Sequence, residues 1–174
     1  TLFLSTAALI FSSVQLTTGE ELSREAYMKA WEQDFLGTWM TKSTLEIDIQ
    51  GLGEKGNTVE VTGTIKRLNG AYQVTWKTRV EGKSGTTGAA VVGWDASIQK
   101  PRATFCNARG GSTSVTYTKQ GDKWTLEGVT FEPDGTKSTE KSSVTVTDTS
   151  HIHDITDRVR DGVPLPDKKQ VWTK

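Results

Sequence analysis

The chain has 174 residues, enough for one domain with a single hydrophobic core. Its 21 basic and 21 acidic residues cancel, and no long block of either sign occurs. The basic face of a nucleic-acid binder is therefore missing, and no nucleic acid is expected as a partner. Hydrophobic residues make up only 34%, with 17 glycines and abundant Ser and Thr, a balance that suits short two-faced strands better than buried helices.

Residues 1–19 read as a signal-like apolar segment. Leu2 to Phe11 carries no charge, small and polar residues follow to Gly19, and Thr17-Thr18-Gly19 is the best cleavage candidate because no Ala-x-Ala occurs. The segment is either cleaved as a signal or retained as an anchor. If retained, Leu2, Phe3, Leu4, Leu9, Ile10 and Phe11 are the residues expected to dock, through residues 1–16, on a lipid surface or a membrane protein complex. In both cases the domain that follows is expected to be extracytoplasmic, periplasmic or secreted.

Residues 20–174 read as one domain. Thr18-Gly-Glu-Glu21 fits a capping box for a helix over 20–36, which Gly37 stops. Leu22, Ala26 and Ala30 form one stripe of that helix, and Tyr27, Trp31 and Phe35 run beside it at four-residue spacing, the pattern of packed core. From Gly37-Thr38-Trp39 onward the period changes to two. Strands are expected at 44–49, 59–65, 72–80, 89–95, 102–109, 113–119, 123–132, 137–148, 151–160 and, as a final edge, 170–174. Turn signals separate them at Asn69-Gly70, Gly121-Asp122, Pro133-Asp134-Gly135 and Asp161-Gly162. Nine or ten hairpin-connected strands with no helix between them predict a mainly β fold. It is an antiparallel up-and-down barrel, closed or nearly so, with a short N-terminal helix and Trp39 plugging its base. The lone cysteine, Cys106, excludes an internal disulfide and reads as a buried, inert thiol within a strand.

Few motifs carry chemistry. Gly51-Leu-Gly53-Glu-Lys-Gly56 matches a dinucleotide fingerprint in letters, but that chemistry needs a helix to follow, and residues 57–65 alternate as a strand. His151 and His153 share one strand face and are weak candidates for a metal, with Asp148, Asp154 or Glu127 as further ligands. No third ligand is recognisable, so neither metal nor cofactor is expected. Gly110-Gly-Ser112-Thr-Ser114 lacks the strand-to-helix setting of a hydrolase nucleophile, and Asp154 and Asp157 fall on opposite faces of a strand. Trp76, Trp94 and Trp124 are candidates to line an interior cavity or to fill a solid core. Glycines at 63, 88, 93 and 128 would bend strands or clear room for a guest.

Leu36-Gly-Thr-Trp39, Val92-Gly-Trp-Asp95, Gly121-Asp-Lys-Trp124, Pro133-Asp-Gly135, Thr156-Asp-Arg158, Asp161-Gly-Val-Pro-Leu-Pro166 and Val171-Trp-Thr-Lys174 together carry a resemblance. Across residues 20–174 the chain resembles the uncharacterised secreted lipocalin-like domains of bacteria, within the calycin barrels. The resemblance implies that a basic residue, Lys174 or Arg158 or Arg160, stacks over Trp39. It also implies an apolar ligand rather than haem, because the fuller glycine-rich opening of haem-binding relatives does not follow Trp39. The expectation is a non-enzymatic barrel acting as an accessory subunit docked on the outer face of a membrane assembly through residues 1–16. The alternative is a free carrier of a small hydrophobic ligand.

Overall fold

The computed structural model describes residues 22–45, 48, 52–108 and 110–174. The expected docking residues Leu2, Phe3, Leu4, Leu9, Ile10 and Phe11 and the capping pair Thr18 and Glu21 lie outside the described residues, as does part of the expected strand 44–49. Helix α1 spans Arg24–Phe35 and starts later than the expected 20–36. Ser23 is its N-cap, with Oγ accepting a hydrogen bond from the Ala26 amide at 3.2 Å. Tyr27, Trp31 and Phe35 form its buried stripe, whereas Leu22 and Ala26 are exposed and belong to no packed face.

Gly37 then turns the chain from helix to strand. Its φ of 127° lies where side chains are strained, and a Cβ there would stand 2.8 Å from Lys174 Cε. The backbone conformation is what demands glycine before Trp39, since the flexible Lys174 side chain could move aside.

Ten strands follow: β1 Gly37–Thr44, β2 Thr58–Leu68, β3 Ala71–Val80, β4 Lys83–Asp95, β5 Lys100–Asn107, β6 Ser112–Gln120, β7 Lys123–Phe131, β8 Lys137–Asp148, β9 His151–Arg160 and β10 Val163–Thr173. Each pairs antiparallel with the next, and β10 pairs with β1, so the meander is a closed ten-stranded up-and-down barrel. The final strand is longer than expected and is not an edge. It begins at Val163 and pairs with β9, tolerating Pro164 and Pro166 through a register shift between Leu165 and Lys168. Glu81-Gly82 and Asp161-Gly162 take positive φ at both positions, as two-residue hairpin turns require; the first of these has no obvious letter signal.

Side-chain parity decides what faces the lumen. In β5, Pro101 and Ala103 are buried and Phe105 is partly buried, while Arg102, Thr104 and Cys106 are exposed. Cys106 is therefore an exposed thiol, not the buried one expected: it sits one residue out of phase with the apolar set.

Helix α1 seals the end of the barrel at which the odd-numbered strands begin. Trp31 is 1% exposed, with ring centroids 4.8 Å from Tyr72 and 5.3 Å from Phe35. Trp124 is wholly buried, 5.3 Å from Phe35 and 5.9 Å from Tyr27. Burying rings of this size accounts for most of the helix's hold on the barrel.

Candidate functional site: an aromatic chamber with a polar annex

The sealed end is fastened by polar contacts as well as rings. Asp34 accepts hydrogen bonds from Lys119 Nζ and Trp124 Nε1, each at 2.7 Å, and Lys119 Nζ stands 4.7 Å from the centroid of the Trp124 ring. Tyr27 Oη accepts from the Lys119 amide at 2.7 Å. Glu32 accepts from Arg67 and, at 2.7 Å, from the Tyr72 hydroxyl. The Arg67 and Tyr72 hydrogen bonds hold the Glu32 carboxyl below the usual range, while burial and Glu32 push the Tyr72 phenol up to about 12.

Trp39 lies at this end beneath the helix terminus. It is 4% exposed, and its Nε1 donates to the Phe35 carbonyl at 2.7 Å, satisfying an acceptor in the last turn of α1. Lys174 Nζ stands 4.7 Å from the centroid of its ring. Arg158 lies elsewhere, in the lumen, with Nη2 donating to the Pro166 carbonyl at 2.8 Å. Arg160 is exposed at the end of β9. Of the three basic residues considered for Trp39, Lys174 is the one that reaches it.

Above the plug the barrel is hollow. A cavity of about 330 Å³ is lined by Trp31, Phe35, Trp39, Trp76, Phe105, Tyr117, Trp172 and aliphatic neighbours, with Asp154 the one charged lining residue among the described residues. Its shape follows from strand register. Trp39 faces Gly63, Gly63 faces Trp76, and Trp76 faces Gly88, giving an alternating row of indole and bare backbone across β1 to β4. The Trp76 ring lies over Gly88, where a Cβ would collide with it, whereas a Cβ at Gly63 would meet nothing within 4 Å. The row thus packs on one side and leaves space on the other.

Of the three tryptophans expected to line a cavity, Trp76 does so. Trp124 is core and Trp94 packs 5.9 Å from Tyr27, so both seat the helix instead. Trp31 and Trp172 take their place in the lining, which period-two reading missed because it does not say which face of which strand meets the helix.

A second compartment of about 370 Å³ adjoins the first and shares Trp76, Phe105, Tyr117, Leu126 and Asp154 with it. Its other walls carry Glu140, Ser142, Thr156, Arg158, Lys168 and Gln170. Glu140 lies opposite both Arg158 and Gly128, and a Cβ on Gly128 would stand 2.8 Å from Glu140 Cγ. Burial, reinforced by the nearby Asp154 charge, raises the Glu140 carboxyl above its usual range. Burial raises Asp154 too, partly offset by hydroxyl hydrogen bonds. The Thr156 hydroxyl donates to Asp154 at 3.0 Å and lies 2.7 Å from Ser142 Oγ. Burial also raises the Tyr117 phenol, which stays neutral.

The remaining candidates, Asp154 excepted, do not line either compartment. His151 and His153 are exposed on the outer face of β9, and His151 Nδ1 sits 3.0 Å from Asp148 Oδ2. Asp154 points inward, away from them, and Glu127 pairs with Lys141 at 3.0 Å. Among the described residues no group of three or more His, Cys, Asp or Glu side chains could hold a metal ion. Gly53 and Gly56 precede strand β2 rather than a helix, and Ser112 and Ser114 lie in β6. Asp154 and Asp157 occupy opposite faces of β9, the first lining the lumen and the second exposed. No protein-family model matches this chain, and no curated protein matches it either.

Proposed function

We propose that the barrel is a non-enzymatic, extracytoplasmic carrier that encloses one small, mainly apolar molecule. The observation that carries this reading is the aromatic chamber of about 330 Å³, walled by large rings yet left open at Gly63. The alternative, an accessory subunit docked through residues 1–16, rests on residues outside those described. Among the described residues no helix is long and apolar enough to cross a membrane.

The reading is tested by calorimetric titration of the purified barrel with 1-octanol. Saturable binding at one site per chain is expected. A Cβ at Gly63 meets nothing within 4 Å, so Gly63→Leu projects into the open wall and is expected to weaken octanol binding at least ten-fold. Absence of saturable binding, or unchanged affinity in Gly63→Leu, overturns the carrier reading.

A further inference from the structure

Within that carrier reading, we infer that the guest is a hydrophobic amine, bound as its ammonium ion by Asp154 and the aromatic walls. Three features of the chamber converge on a cation.

The first is composition. Among the described residues seven aromatics line the apolar compartment, and their faces carry the negative lobe of the ring quadrupole. Such a wall favours a cation over an anion of equal size.

The second is the placement of charge. Glu140, Asp154, Arg158 and Lys168 all line the lumen, and their formal charges cancel when both acids are ionised. Only Asp154 reaches the aromatic compartment; the other three are confined to the annex. A guest whose body fills the aromatic space therefore meets a carboxylate at the boundary, not a guanidinium or ammonium group. Arg158 is further committed by its hydrogen bond to the Pro166 carbonyl.

The third is that Asp154 is prepared as an acceptor. The Thr156 hydroxyl donates to Oδ1 and is itself in contact with Ser142, so the carboxyl is held in position by neighbours on β8 and β9. Burial disfavours its anionic form, and an arriving ammonium offsets that penalty directly. A charge-assisted N–H···O bond then adds direction to the non-directional contact with the rings.

A set of guests sharing one tail tests this: octylammonium, octyltrimethylammonium, 1-octanol and octanoate, titrated into wild-type protein and into Asp154→Asn at neutral pH. Both cations are expected to bind at least ten-fold tighter than octanol, a difference of about 1.4 kcal/mol, with octanoate weakest. Asp154→Asn is expected to bring the cations to within about three-fold of octanol, and a melting temperature no lower than wild type shows that the variant is folded. Glu140→Gln, which alters the annex alone, is expected to keep the preference for cations. If octanol binds as tightly as the cations, if octanoate binds tightest, or if Asp154→Asn retains the cation preference, the amine assignment is overturned while the carrier reading stands. If no octyl compound binds, both are overturned.

Discussion

The two ends of the lumen are built from the same strands and differ in how their polar groups are settled. At the end sealed by α1, Asp34 meets a lysine and an indole, Glu32 meets an arginine and a phenol, and Tyr27 caps a backbone amide. The exception is Trp31 Nε1, which has no hydrogen-bond partner among the described residues. In the annex, by contrast, Glu140 and Asp154 share a desolvated space that raises both carboxyls. The sealed end gains stability from satisfied contacts; the hollow end keeps two desolvated carboxyls at a cost in stability.

Substitutions at the two ends should therefore act in opposite directions. The largest effect is expected at Trp31: Trp31→Ala removes the ring at the centre of the seal and should destabilise by about 3–5 kcal/mol in urea titration. Asp34→Asn leaves Lys119 and Trp124 without their anionic acceptor, and a loss of about 1–3 kcal/mol is expected in the same assay. A loss below about 0.5 kcal/mol would show that the helix is held by rings alone.

At the hollow end the sign reverses. A glutamate with a raised folded-state pKa favours the folded state at low pH, and that contribution is lost as pH rises through the folded value. Glu140→Gln should thus raise the melting temperature by a few degrees at pH 7 and give no gain at pH 4. Equal gains at both pH values would remove the titration account. The smallest effect is expected at Lys174→Ala, about 0.5–1 kcal/mol, because its ammonium is exposed to solvent where it covers Trp39.

Much of the barrel was legible because alternation and turn residues agree. Lys137–Asp148 and His151–Arg160 were placed to the residue, and Gly37-Thr38-Trp39 marked the passage from helix to sheet. The start of β10 was hidden by Pro164 and Pro166, residues that usually interrupt strands and here sit at an irregularity. Phase was harder than period. Cys106 is exposed because Phe105 sets the inward parity of β5, and Trp94 and Trp124 serve the helix because of where α1 lies. The chamber itself could not be read from spacing. Trp39, Gly63, Trp76 and Gly88 come from four strands, and only the register between them reveals a continuous row.

The seam between the first and tenth strands bears on how the protein is made. Met40 faces Thr173 there, whereas along its other edge β1 is matched with β2 at eight successive positions. During synthesis every earlier hairpin can zip onto its predecessor, but the leading strand waits with an unsatisfied flank until the tenth has left the ribosome. Closure of the barrel is thus the last pairing the topology allows, and the outer edge of β1 stays unpaired until β10 reaches it.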